Sequence, residues 1–295
     1  MEQTPLFGRV ALIGMGLIGG SLALALRQHG LVGRLVGADH NPDHVTQALA
    51  LGLVDEAGTD LGLAVRGCDL VVLATPVGTF AELAATIAPH CMPGAIVSDV
   101  GSVKELVLRE IAPRLPPGVH LVPAHPIAGT EHSGPAAGFA TLFQGRWCIL
   151  TPAADTDPSA VERVRALWLR VGSMVEVMTA EHHDRVLAIT SHLPHLIAYT
   201  IVDTAVGLEE STQSEVIKFS ASGFRDFTRI AASDPIMWRD IFLNNREAVL
   251  EILQRFTEDL TALQRAIRRG EGDTLQEVFT RTRGIRRGII DAKQA

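Results

Sequence analysis

The sequence is short of cysteine, of surplus positive charge and of long apolar runs, and each shortage excludes something. Cys68, Cys91 and Cys148 are the three cysteines among 295 residues, odd in number and without metal-ligand spacing. A disulfide framework and a structural zinc site are therefore excluded, and reduced thiols in a cytoplasmic protein are expected. Lys and Arg total 26 against 33 Asp and Glu, a formal net charge of −7. Nothing there attracts a polyanion such as nucleic acid. The arginines of 265–269 and 281–287 interleave with Glu271, Asp273 and Glu277, as on a solvated helix face. No apolar stretch reads as long enough to cross a bilayer, and the amino terminus lacks a signal-peptide pattern, so no membrane partner is expected. There is no internal repeat and no low-complexity segment, and the length suffices for two domains, each with its own core.

What is present begins with a glycine turn. A short apolar run at 9–13 leads into Gly14-Met15-Gly16-Leu17-Ile18-Gly19-Gly20 and then an Ala/Leu-rich stretch to Gln28. A G-x-G-x-x-G between a strand and a helix is the setting in which the pattern signals a dinucleotide. Gly14 supplies the tight turn, Gly16 lets backbone approach a pyrophosphate, and Gly19 lets the helix pack on the strand. The first-turn amides, from Leu17, Ile18 and Gly19, face the phosphates with the positive end of the helix dipole. A second apolar run at 35–38 ends in Asp39, placed to accept hydrogen bonds from a ribose and to repel a 2′-phosphate. The alternative role for Asp39 is to cap the helix near Pro42; the glycine turn favours the ribose, and NAD as the cofactor.

Strand-like segments at 10–13, 35–38, 70–74, 95–99, 119–123, 147–150 and 174–178 alternate with helical patterns at 17–28, 42–51, 79–88, 103–111 and 158–170. This predicts an α/β, Rossmann-like domain over 1–178, a parallel sheet covered on both faces, with the later strands as an antiparallel extension. After 180 strand signals stop, and helical spacing runs through 186–206, 236–267 and 275–290. Residues 179–295 are therefore expected to form an all-α domain that serves for substrate and dimerisation, its apolar helices covered by a second subunit.

Chemistry-bearing residues cluster where strands end, the edge at which ligands bind in such sheets. The segment Ala124-His125-Pro126-Ile127-Ala128-Gly129-Thr130-Glu131 follows the apolar run at 119–123 and puts an imidazole there, suited to moving a proton near neutral pH. Thr75 and Pro76 close the strand at 70–74 and are placed to line a cofactor. Asp99, Ser102 and Lys104 close the next, Asp99 as a possible helix cap and the other two pointing to a nicotinamide. In the helical half, Glu181-His182-His183-Asp184 and Ser191-His192-Leu193-Pro194-His195 lack any metal motif and read as a polar pocket, so no metal is expected. Arg225 and Arg229 stand one helical turn apart, as in a carboxylate clamp, with a surface ion pair the better reading for Arg225.

These segments resemble the prephenate dehydrogenase family of tyrosine biosynthesis, which includes arogenate and cyclohexadienyl dehydrogenases. The resemblance runs from Gly14 to about Asp240 and is most specific in His125–Glu131 and Asp226–Ala231. It implies NAD-dependent oxidative decarboxylation of prephenate to 4-hydroxyphenylpyruvate, with arogenate or dual specificity as the alternative. By that likeness His125 is the catalytic base and Ser102 its hydrogen-bonding partner. Arg229 holds a substrate carboxylate, with His195, Thr130, Glu131 and Lys104 around the pocket, and Trp238 reaches it from a neighbouring subunit. The chain length leaves no room for an added regulatory domain or a fused mutase, so tyrosine would inhibit at the active site itself. Two other readings stay open. A β-hydroxyacid-dehydrogenase-like enzyme needs a helical-domain lysine, and neither Lys218 nor Lys293 is suitably set. A non-catalytic NAD-sensing protein needs no His125 and Arg229 together.

Overall fold

The computed structural model describes residues 4–130, 132–207, 218 and 221–291. One compact unit reaches Arg246 and a second starts at Glu247. The first is built on β1 (Phe7–Ile13), α1 (Leu17–Gln28), β2 (Val32–Ala38), α2 (Pro42–Ala50), β3 (Glu56–Gly58), α3 (Leu61–Val65), β4 (Leu70–Leu73), α4 (Phe80–Ile87), β5 (Ile96–Asp99), α5 (Lys104–Ile111) and β6 (His120–Leu121). All strand pairs are parallel, in the order β3-β2-β1-β4-β5-β6.

The sheet is buried on both faces, and the two-residue period of its strands sorts its side chains. Val10, Leu12, Leu35, Leu70, Val72 and Ile96 pack with Leu22 and Leu26 of α1. Ala11, Ile13, Val36, Val71, Leu73 and Val97 pack on the other face with Phe80, Ile87, Val107 and Ile111 of α4 and α5. Burial on both sides explains why these strands read as unbroken apolar runs rather than alternating ones.

Two expectations need correction here. The run at 119–123 is not one strand: Val122 still donates to Val97, but Ala124 is drawn to the side chain of Asp99 and Thr151 donates to Pro123. The chain leaves the parallel sheet there and enters β7 (Ala124–Pro126), so His125 lies within a short strand of its own. With β8 (Trp147–Leu150) and β9 (Met174–Val177) it forms a separate three-stranded sheet, β7–β8 antiparallel but β8–β9 parallel. The intervening α6 (Pro158–Arg170) puts Val164, Leu167 and Trp168 into the core.

Helices follow: α7 (Ala180–Leu187), a π-helical turn at Ala188–His192, α8 (Leu193–Val206), α9 (Ser222–Thr228) and α10 (Pro235–Asn244). The widened turn precedes Pro194, whose missing N–H cannot continue an i→i−4 ladder. Trp238 and Ile241 of α10 join the core cluster of α4 and α5. By packing, then, this part of the helical half belongs with the sheet, although secondary structure changes type near residue 178. The helical run Ala180–Ala205 is, contrary to the sequence expectation, long and apolar enough to cross a membrane by composition. Within it His183, Asp184 and His192 are buried and hydrogen-bonded. The second unit contains α11 (Arg246–Arg269) and α12 (Gly272–Asp291), joined through Gly270 at φ 70°. The periodic run 236–267 is thus two helices, broken at Asn245, whose side chain is used elsewhere.

Candidate active site

The glycine turn is shaped as a phosphate cradle. Gly14 has φ 97°, and a Cβ there would lie 2.6 Å from the carbonyl oxygen of Ala74. A Cβ on Gly19 would lie 2.0 Å from the carbonyl of Gly14, so α1 can sit on β1 only with glycine there. Gly16, by contrast, has open space around it and begins α1 without any side-chain cap. The first-turn amides at Leu17, Ile18 and Gly19 are thus left for a ligand, and no acidic residue stands in that turn.

Asp39 is not the cap of α2; Asn41 is, accepting from the Asp43 amide at 2.9 Å. Asp39 is buried and accepts from Met15 N at 2.8 Å and Asn41 N at 2.9 Å, tying the end of β2 to the glycine turn. His44 Nδ1 lies 3.3 Å away. A carboxylate has acceptor capacity beyond two amides, which suits a ribose diol. Thr75 is half-buried and borders Gly14; its hydroxyl meets that of Thr79 at 2.8 Å, while Pro76 is exposed. The segment after His125 folds back on this edge, with Phe139 N donating to Ser21 Oγ at 3.1 Å.

The His125 side is assembled from long-range contacts. Lys104 is fully buried, and its ammonium donates to Asp99 Oδ2 at 2.5 Å and to the carbonyl of Ala124 at 2.7 Å. It was expected to face substrate. Instead it supports the peptide before His125 from within. Burial pushes the Lys104 ammonium down and the Asp99 carboxyl up, while each draws the other back towards its charged form.

His125 is buried, and its Nδ1 lies 2.8 Å from His183 Nε2. His183 Nδ1 is 2.7 Å from Asp184 Oδ1. Asp184 accepts in turn from the backbone N–H of Lys104 at 2.8 Å and of Glu105 at 2.9 Å, the first turn of α5, which has no cap of its own. Burial foremost, then the neighbouring His183, Lys104 and His192, hold His125 well below the ordinary histidine range. The ring is therefore neutral at pH 7 and free to accept a proton. Ser102, expected to bond His125, is half-buried on the turn after β5; among the described residues the His125 ring meets His183 instead. His182 is exposed and outside the chain of contacts.

His192 is also buried. Asn245 gives its amide hydrogens to the carbonyl of Asp184 at 2.9 Å and to His192 Nδ1 at 3.0 Å. His192 Nε2 and Trp238 Nε1 are buried without a hydrogen bond from the described residues. Burial pulls the His192 imidazole down to about 4. His195 donates from Nδ1 to the carbonyl of Ser191 at 2.8 Å and stacks on Trp238 at 3.6 Å between ring centres. Trp238 thus packs on His195 of its own chain and is almost fully buried, rather than arriving from a neighbour. Arg229 and Thr130 are exposed, and the charge of Arg229 helps hold His195 below its ordinary value, after burial. Arg225 is exposed as well. Glu131 lies outside the described residues.

The histidine–aspartate pair 183/184 and Asn245 were not singled out as positioning groups from the sequence. One signal was available: Lys104 is a cation at a helix amino terminus, where the dipole disfavours it, and so demands anionic partners.

A glycine cradle at the carboxyl edge of a parallel sheet, with a neutral buried imidazole alongside, defines a nucleotide-dependent oxidoreductase. The description "prephenate dehydrogenase, nucleotide-binding domain" matches residues 22–177, and "prephenate dehydrogenase, dimerization domain" matches residues 179–281. The chain belongs to the prephenate dehydrogenase family. It is 42% identical over 280 residues to a cyclohexadienyl dehydrogenase of Zymomonas mobilis, covering 95% of each chain. It is 34% identical over 284 residues to a prephenate dehydrogenase of Bacillus subtilis, covering 95% of this chain and 76% of that one. Among solved structures, prephenate dehydrogenase from A. aeolicus in complex with hydroxyphenyl propionate and NAD+ superposes with a TM-score of 0.89 at 38% identity, covering 96% of this chain and 98% of that one.

Proposed function

We propose that this enzyme converts prephenate and NAD to 4-hydroxyphenylpyruvate, CO2 and NADH, in tyrosine biosynthesis. The observation that carries the reading is neutral, buried His125 on the edge that bears the glycine cradle. The amides of Leu17, Ile18 and Gly19, with Asp39 and Thr75, fit NAD, and the A. aeolicus relative was crystallised with NAD+. When bound, NAD supplies the acceptor for a hydride.

The residues of the chain then have simple tasks. His125 takes the proton of the ring hydroxyl as the carbon beneath it gives up hydride. The ring carboxylate leaves as CO2, its bonding pair enters the ring, and His125 returns the proton to the new phenolic oxygen. Aromatisation supplies the driving force, so the protein need only align hydroxyl, base and acceptor. Arg229 holds a substrate carboxylate, with Ser102, Thr130 and His195 around it, Trp238 backing His195, and Lys104 supporting the floor.

The name of the Zymomonas mobilis relative favours a second reading, in which arogenate is also turned over. The residues assigned here meet the ring and its carboxylate, which both substrates share. Initial rates with prephenate and arogenate, each with NAD and NADP, test both readings. Prephenate with NAD is expected to be fastest, and equal inertness with all four pairs would refute the assignment. Tyrosine, a phenol with a carboxylate, is proposed to compete with prephenate at this site; an effect of tyrosine on Vmax alone would contradict that. The match to a dimerization domain, and exposed Leu250, Leu260, Phe279 and Ile285 in the second unit, support a homodimer. The buried free thiols of Cys68, Cys91 and Cys148 suit the cytoplasm.

A further inference from the structure

We propose that Asp184, His183 and His125 form a directed chain that selects one tautomer of the base, leaving Nε2 of His125 as its only basic nitrogen. The proposal rests on the reading of His125 as the base and adds to it which atom acts and what compels it. His183 and Asp184 are positioning residues.

The direction follows from what each group is able to donate. Both oxygens of Asp184 accept backbone N–H groups of α5, Oδ1 at 2.8 Å and Oδ2 at 2.9 Å, so the carboxylate has no hydrogen to give. The 2.7 Å contact with His183 therefore requires a hydrogen on His183 Nδ1. A neutral imidazole has only one N–H, which leaves His183 Nε2 as an acceptor. The 2.8 Å contact between that nitrogen and His125 Nδ1 then requires the hydrogen on His125 Nδ1. What remains on His125 is an Nε2 lone pair that takes no hydrogen bond from the described residues. Both rings are held neutral chiefly by burial, which the scheme needs, since a protonated His183 has no lone pair to offer.

An isolated neutral histidine prefers its hydrogen on Nε2, so the relay imposes the less favoured form. Fixing a tautomer through the second ring nitrogen is how orienting groups serve histidine in other settings. Two features anchor the far end. Asp184 is bound to α5 by two amides, and Asn245 holds its carbonyl. Lys104, on the same helix turn, grips the Ala124 carbonyl directly before His125. Ring, relay and helix terminus are thus one hydrogen-bonded unit.

The test is the 15N spectrum of the imidazoles in the whole, ligand-free protein at pH 7.5, with His125 assigned by loss of its signals in His125→Asn. A pyrrole-type Nδ1 and a pyridine-type Nε2 are expected; hydrogen on Nε2 overturns the relay even if the enzyme turns over prephenate. Conversely, a correct tautomer in a protein inert to prephenate would sink the functional assignment and leave the relay standing. His183→Phe keeps a flat ring but removes the acceptor. It should lower kcat about 10- to 100-fold, part of the usual contribution of a general base, with KM for prephenate and NAD within about threefold. Its His125 should move towards hydrogen on Nε2. His183→Gln, which offers a carbonyl oxygen at similar reach, should recover most of the lost rate. Unchanged kcat in His183→Phe, or no recovery in a folded His183→Gln, contradicts the proposal. Should His183→Phe not fold, the wild-type spectrum and the Gln variant decide.

Discussion

The cofactor edge and the His125 edge of this site are built by opposite means. The first is backbone: Gly14 and Gly19 leave no room for a side chain, Gly16 adds none, and the first-turn amides of α1 have no side-chain cap. The second is side chains: two buried carboxylates, a buried ammonium and three buried imidazoles, linked by contacts that reach up to 80 residues along the sequence. A backbone site is indifferent to pH and intolerant of added volume. A buried ionisable site tolerates little change of charge and carries its own pH dependence. The same molecule should therefore fail in two distinct ways when each edge is disturbed.

The largest disturbance is expected from Lys104→Met. It leaves Asp99 buried without its ion partner, which should cost about 3–5 kcal/mol of stability. Denaturant unfolding checks this; a loss below about 1 kcal/mol would mean that Asp99 simply takes up a proton. Arg229→Ala should cost about 2–5 kcal/mol in kcat/KM, mainly through KM for prephenate, with thermal stability little changed. A normal KM would move the carboxylate anchor elsewhere.

Acid should disturb the His125 edge selectively. His192 is held at about 4 in the folded protein, against an ordinary value of 6.5. Below pH 6.5 the unfolded chain binds this proton first, so stability is full above 6.5 and falls as pH drops towards 4. The loss from His192 alone is about 3 kcal/mol. Unfolding curves between pH 7 and pH 4 measure it, and His192→Gln should flatten part of the slope. A slope unaltered by that replacement would assign the acid sensitivity to other groups. The smallest effect is expected at the cofactor edge: Asp39→Asn with His44→Arg should raise the NADP-to-NAD ratio of kcat/KM by roughly tenfold, about 1.4 kcal/mol. An unchanged ratio would reduce Asp39 to a brace for the glycine turn.

The contrast also explains what was legible beforehand. Helix α1 was expected at 17–28 and is found at Leu17–Gln28, because everything that defines it lies within a few residues of the glycine turn. Asp39 and His125 stood out since each closes an apolar run. The relay did not, since His183 and Asp184 gain their meaning only from partners 58 and 80 residues away. Strand β3 (Glu56–Gly58) has no apolar run and exists through its pairing with β2. The break between β6 and β7 was hidden because 119–123 reads as one run despite His120 and Pro123; Pro123 has no N–H for the ladder, and Ala124 N turns to the carboxylate of Asp99. The break at Asn245 likewise interrupts a periodic stretch for the sake of His192 and Asp184.

The central claim, that His125 is the base of a prephenate dehydrogenase, is tested most directly by pH–rate profiles with prephenate and NAD for the wild type and His125→Asn. Because burial foremost, then the neighbouring His183, Lys104 and His192, hold His125 well below 6.5, the wild-type kcat/KM should be flat through neutrality and fall only in acid, with its limb well under pH 6.5. In His125→Asn the rate should drop by roughly 10²–10⁴-fold and that limb should vanish. A fall of less than tenfold, or an acid limb that persists in His125→Asn, would contradict the account.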